Sequence, residues 1–361
     1  MAAKAKKGRR TRAAVLAGAC VLLIVAVSGC QTIRFYSQAA AGQYEILAHQ
    51  KLAARLIEDP GTDPKLKAQL KLVEKIRTFA AKELKLQPNG SYLKYVDVHR
   101  PFVVWNVIVA PRLSLAPKTW WFPIVGRASY RGYFSEAAAR DYAAIWDAKG
   151  WDTYIGDVTT YSTLGWFRDP LMSTFIFESE DELADTIFHE LTHKRLFIAG
   201  DTDFNEAFAT AVAAEGVRRW YQAAANAAAY ERYAKNAERE HDFVRLVMAT
   251  RDELQKVYEE ASLPDAAKLR RKEEIGAGMR AKYEDVKKKW GVTKSGYDGW
   301  FARPLNNAEL NTVAAYYELV PAFHALLRAD GGDLEVFYGE VAKLGKLPLD
   351  ERHAALQSYV K

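Results

Sequence analysis

Ser179-Glu-Asp-Glu-Leu-Ala-Asp-Thr-Ile-Phe-His189-Glu190-Leu-Thr-His193 is the stretch on which the reading of this chain turns. Ser179 with Glu182 three residues on is a capping-box pattern, so a helix begins there. On that helix His189 and His193 are one turn apart and share a face. Two imidazoles so placed can hold one zinc ion. Glu190 sits about 100° further round, at 3.6 residues per turn. It can reach a water at the metal without being a ligand, which is the place of a general base. Leu183, Ile187 and Leu191 give the same helix an apolar side to bury. The competing reading is two surface histidines on an ordinary helix, and the cap, the apolar side and the acidic helix that follows count against it.

That second helix holds Asn205-Glu206-Ala207-Phe208-Ala209, after a turn at Gly200-Asp201-Thr202-Asp203. A catalytic zinc takes three protein ligands and keeps one position open. Glu206 lies 13 residues beyond His193 and is the candidate third ligand. Small neighbours Ala207, Ala209 and Ala213 permit close approach of the two helices. The competing role for Glu206 is a surface acid placed in the first turn to suit the helix dipole.

Working outward, residues 35–58 and 63–85 read as helices split by Asp59-Pro60-Gly61. Strands follow within 92–110, where FVVWNVIVA occupies 102–110, and at 119–125, 152–161 and 171–177. Ser135 caps a helix that ends at Gly150. Beyond 179 the pattern is almost wholly helical. Residues 217–261 and 264–289 read as a long charged hairpin, at about 217–290, around Leu263-Pro264-Asp265. Such an arm can grip a protein partner or pack, solvated, on the domain. Helices near 306–328, 333–343 and 350–357 close the chain. The fold class is therefore α+β and mostly helical, with a zincin-like small sheet, the active-site helix, and then the helix of the candidate Glu ligand.

The amino terminus reads as an address. Residues 1–29 carry Lys4, Lys6, Lys7, Arg9, Arg10 and Arg12 with no acid, then the apolar run AAVLAGACVLLIVAVSG at 13–29. Val27-Ser28-Gly29-Cys30 resembles the bacterial lipobox, which implies cleavage before Cys30 and lipidation of that residue. The competing reading is an uncleaved membrane anchor. Both put the domain, 30–361, outside the cytoplasm. Gln31 rather than Asp after the cysteine favours the outer membrane, facing the periplasm. The six basic residues account for the whole formal charge of +6, so the pI near 9.0 says nothing of nucleic acid. No stripe of basic and aromatic residues argues for nucleic acid either. Cys20 and Cys30 are the only cysteines, too few for a disulfide framework or a thiolate metal site.

With these residues in view, the chain resembles the gluzincins, and in particular the bacterial putative aminopeptidase lipoprotein family. The matching stretches are Tyr130–Phe134, Tyr161–Phe167, Ile187–His193, Phe204–Ala209 and Tyr316–Phe323. The resemblance implies a zinc peptidase with His189, His193 and Glu206 as ligands and Glu190 as catalyst. It departs from better-known gluzincins at Thr210, where many carry an acid that orients a ligand histidine. Asp185 or Asp203 can substitute.

The expected reaction is peptide-bond hydrolysis. Tyr316, Tyr317, His324 and Tyr161 are candidates to steady the oxyanion, with Tyr316 favoured and core packing as the competing role. Segment 161–167 is a candidate edge strand for substrate backbone. An aminopeptidase also needs a non-ligand carboxylate for the substrate ammonium. Glu178, Glu180 and Asp169 are placed for that, unless they are ordinary solvated acids. His49, His99, His241 and His353 stand alone and read as surface or core residues. The rival readings are a zinc amidase or endopeptidase of the cell envelope, and a non-catalytic lipoprotein with a structural zinc. Glu190 separates them, because a structural site needs no base.

Overall fold

The computed structural model describes residues 31–123, 126–160 and 168–360. The leader 1–29, Cys30 and the segment 161–167 lie outside them.

The chain begins with α1 (31–48), β1 (Lys51–Leu52), α2 (Ala53–Glu58) and α3 (Pro64–Glu83). The helix expected over 35–58 is thus two helices. Lys51 and Leu52 leave the helical path to pair with β2 (Lys94–Val96), Lys51 opposite Tyr95. Asp63 starts α3 by accepting from Lys65 N at 2.7 Å and Leu66 N at 3.1 Å, with Pro64 next to it.

The apolar run at 102–110 becomes β3 (Val104–Pro111), the centre of an antiparallel sheet between β6 (Tyr130–Tyr133) and β7 (Trp151–Val158). Its continuous hydrophobicity follows from burial on both faces. Trp105, Val107 and Val109 pack on α4 (Glu136–Asp147). Ile108 and Ala110 point the other way, onto Ala308 of α10 (Asn307–Tyr317). A hairpin of β4 (Trp120–Phe122) and β5 (Gly126–Ala128) lies beside this sheet. The strand expected over 171–177 ends early: β8 (Leu171–Met172) pairs in parallel with β2, and turns then carry the chain to Ser179.

The rest is helical, as expected for an α+β chain that is mostly helix. It comprises α5 (Glu180–Arg195), α6 (Thr202–Ala223), α7 (Ala227–Glu259), α8 (Asp265–Trp290), α9 (Asp298–Phe301), α11 (Val320–Ala329), α12 (Leu334–Leu344) and α13 (Leu349–Gln357). Two boundaries differ from the sequence reading. The hairpin arm starts at Ala227, not 217, because Ala225 turns left-handed at φ 50° and Asn226 caps a new helix through Ala229 N. The helix expected over 306–328 breaks at Glu318-Leu319, with Pro321 in the first turn of α11, where a missing N–H costs nothing.

The main core joins α3, α5, α6, α11 and α12. A second cluster, with Phe243, Val247, Leu254, Met279 and Phe301, lies under the arm. Among the described residues no helix is long and apolar enough to cross a membrane.

Candidate metal centre

Helix α5 begins as its sequence specifies: Ser179 N donates to Glu182 Oε2 at 3.1 Å and Ser179 Oγ to the same oxygen at 2.7 Å. Leu183, Ala184, Ile187, Phe188 and Leu191 bury one side of it. Helix α6 packs against that helix at close range. A Cβ on Gly216 would lie 2.6 Å from Phe188 Cδ2 and 2.8 Å from Leu84 Cδ1, so only glycine fits this contact.

The link between the two helices is tied down by buried polar groups. Asn205 Oδ1 accepts from Ile198 N at 2.8 Å, and its Nδ2 donates to the carbonyls of Ile198 and Asp201 at 2.7 Å each. Asp201 caps α6 by accepting from Phe204 N at 3.2 Å. Arg352 of α13 forms a buried ion pair with Asp201, and His353 Nε2 lies 3.0 Å from the same carboxylate. Burial alone would raise the Asp201 carboxyl, but hydrogen bonds from His353, Phe204 N and Arg352 hold it below its usual range. His353, read as isolated, is one of the clamps on the candidate ligand helix.

This scaffold brings the three candidate ligands together. His189 Nε2 lies 3.2 Å from Glu206 Oε2 and 3.1 Å from His193 Nε2. His193 Nε2 is 3.6 Å from Glu206 Oε2. One ligand atom from each falls within 4.8 Å of the others. Burial works to raise the Glu206 carboxyl, yet His193 and His189 hold it well below the ordinary range. Two imidazole Nε2 atoms and a carboxylate turned toward one point are a donor set that fits zinc. His193 Nδ1 is buried without an acceptor among the described residues. Neither Asp185 nor Asp203 therefore orients His193 through that atom, while the charge of Asp185 acts on His189.

A comparison with known families matches almost the whole of the described chain. The model described as "Putative aminopeptidase" matches residues 34–356. The chain belongs to that family. Among curated proteins and solved structures nothing matches it. The match runs from within α1 to within α13 and so includes the ligand helices and the arm.

Beside His189, this family member carries a cleft of about 1180 Å³. His189 and Glu190 form part of its floor, and Tyr233, Glu240, His241 and Met248 of α7 form one wall. Thr160 Oγ1 donates to Glu190 Oε1 at 3.0 Å. The Tyr316 ring stacks on His189 with centroids 6.0 Å apart. The Glu206 carboxylate first, and burial second, hold the Tyr316 proton in place far above the usual phenol range. Tyr317 instead donates to Glu240 Oε1 at 2.5 Å, bracing the arm. His324 lines the cleft and burial lowers its pKa. Tyr161 lies outside the described residues.

The three proposed amine anchors part company. Asp169 is buried and pairs with Lys194 Nζ at 2.6 Å, so it is spoken for. Glu180 Oε1 accepts from Trp220 Nε1 at 2.8 Å. Glu178 lines the cleft, its carboxyl pushed up to about 7 by burial first and by Glu182 second. Asp185, pushed up to about 6 by burial, and Glu240 line it too. Sequence reading missed Thr160 and Tyr92. Tyr92 is buried, and its hydroxyl is held protonated by burial and then by the charge of Glu190. Neither has a spacing relation to the motif that could have exposed it.

Proposed function

We propose that this chain is a zinc-dependent aminopeptidase of the gluzincin kind. The observation that carries the reading is the convergence of His189 Nε2, His193 Nε2 and Glu206 Oε2 beside Glu190. Zinc held there would supply a Lewis acid for the scissile carbonyl and lower the pKa of a water toward about 7. Glu190 takes the proton of the attacking water and hands it to the leaving amine. Thr160 occupies one oxygen of Glu190, leaving the other for the water. Tyr316, neutral and beside His189, is the donor to the developing oxyanion. Glu178, Asp185 and Glu240 make the cleft favourable for a free ammonium.

Metal analysis and turnover of an aminoacyl arylamide test this together. Purified protein is expected to hold one zinc and to lose activity to a chelator. His189→Ala and Glu206→Ala are expected to lose zinc, while Glu190→Gln keeps it and loses turnover. Full activity in Glu190→Gln would remove the mechanism. The N-acetylated arylamide should resist cleavage, and rapid internal cleavage of a blocked long peptide would move the assignment to endopeptidase. The leader and the lipobox-like Val27–Cys30 support a lipid-anchored location in the cell envelope. Fatty-acid labelling that persists in Cys30→Ser would sink that part alone.

A further inference from the structure

Helix α1 is seated firmly by one side and left bare on the other. Phe35, Gly42 and Ile46 are buried. Phe35 packs on Phe122 and Tyr133, and Phe134 N donates to Gln38 Oε1 at 2.8 Å. Glu45 pairs with Arg100 at 2.8 Å. These contacts fix which way the opposite side faces.

That side is an apolar stripe. Ile33, Tyr36, Ala40, Tyr44 and Leu47 fall within an arc of about 80°, at 100° per residue. Ile33 is 67% exposed, Tyr36 45%, Tyr44 73% and Leu47 38%. Of the eleven exposed residues of α1, only Arg34 is charged. Helix α8 shows what a solvated face looks like in the same molecule: ten of its fourteen exposed residues are charged. Water alone does not account for the α1 face.

The chain's own connectivity says what covers it. The first residue of α1 follows Cys30 directly, and Cys30 ends the apolar run 13–29. One residue of chain spans at most about 3.6 Å. Whatever apolar medium takes up that run, or a lipid on Cys30, therefore begins within one residue of the helix. Tyrosines suit such a boundary, with an apolar ring and a hydroxyl that stays wet. A surface helix can lie in the membrane interface with its apolar face turned toward the acyl chains.

We infer that α1 docks the domain on a lipid bilayer through Ile33, Tyr36, Tyr44 and Leu47. The helix then acts as a footing that sets the orientation of the domain, beyond tethering by the leader or its lipid. This does not rest on the peptidase reading, but it does rest on the membrane location proposed from residues 13–30.

The test uses the full chain reconstituted in vesicles of phosphatidylethanolamine and phosphatidylglycerol. An environment-sensitive fluorophore is attached to Tyr44→Cys and, as a control, to Val336→Cys on α12, which is also exposed. The unaltered chain corrects for its own cysteines. Doxyl-labelled lipid is expected to quench the label at 44 at least about threefold more than the label at 336, as shallow insertion requires. Adding Ile33→Gln and Leu47→Gln should bring the two labels level, with circular dichroism checking that the domain stays folded. Equal quenching at the two positions overturns the inference. So does a blue-shifted label at 44 that doxyl lipid does not quench, which marks a second copy or residues 13–29 as the cover. Undiminished quenching in the glutamine variant also overturns it, since the face would then not be what binds.

Discussion

Two helical pairs dominate this protein, and they are built on opposite terms. The pair α5–α6 is held by close apolar packing, a glycine contact and buried polar ties, and it carries the three residues that converge at the candidate metal centre. The pair α7–α8 is longer and highly charged, and α8 buries only Lys272, Gly276, Met279 and Tyr283. The arm nevertheless supplies a wall of the same cleft. A ligand set must hold its atoms to within tenths of an ångström, which needs a jigsaw interior. A wall needs only to fill volume and present charge, and a helix ridge packed on a smaller core does that.

The contrast can be broken most sharply in catalysis. Glu190→Gln on α5 should lower turnover by about 10²–10⁴-fold, the usual worth of a positioned base. Glu240→Gln on α7 should leave turnover near its starting value and raise KM for free-amine substrates. Steady-state kinetics on the arylamide separates the two, and a collapse of turnover in Glu240→Gln would merge wall with machinery.

Stability should divide in the same way. Arg352→Ala leaves Asp201 buried with part of its compensation gone, as side-chain exposures of 8% and 3% imply. Breaking such a pair costs about 3–5 kcal/mol, toward the lower end here because His353 still faces Asp201. The exposed arm pair Lys282–Glu253 should be worth under about 1 kcal/mol. Denaturant melts of Arg352→Ala and Lys282→Ala measure the difference.

Glycines sharpen it further. Gly216→Ala forces Phe188 and Leu84 to move and should cost about 1–3 kcal/mol. Gly278→Ala in α8 meets nothing within 4 Å and should stabilise by about 0.5–1 kcal/mol, since alanine is the better helix former. Equal effects from the two would deny that the pairs are packed differently.

The smallest expected effect is a pH dependence of the α13 clamp. His353 is raised, by its hydrogen bond to Asp201 first and despite burial, so its contribution is complete below the unfolded histidine value and fades as pH rises through its folded value. Asp201 is depressed, so its contribution is present above the unfolded aspartate value and is lost as pH falls through its folded value. The pair therefore works best between about 4 and 6.5. The gap in melting temperature between the parent chain and His353→Gln should be widest there and shrink toward pH 8.

Much of the helical frame is legible in local signals. Ser179 with Glu182, and Ser135, announce helix starts that the structure keeps, because caps act over three or four residues. The run at 102–110 announces a strand, and packing in the structure buries both of its faces. The misplaced boundaries are those decided from a distance. Nothing near Lys51-Leu52 says that β2 will pair with it, and nothing in residues 217–223 separates a buried helix end from the arm that follows.

By itself, then, the sequence determined that His189 and His193 share a helix face with Glu190 beside them, since that depends only on the period of the helix. It also carried Glu206 as a candidate third ligand and Tyr316 as a candidate to steady the oxyanion. Tertiary structure alone decided that Glu206 Oε2 meets both imidazoles, that Thr160 reaches Glu190, that Asp169 is consumed by Lys194, and that α7 walls the cleft. It also left the α1 stripe facing outward. The reason is range: helical periodicity and capping are settled within a few residues, whereas these contacts depend on which helices pack together, and that is set by the burial of apolar faces across the whole chain.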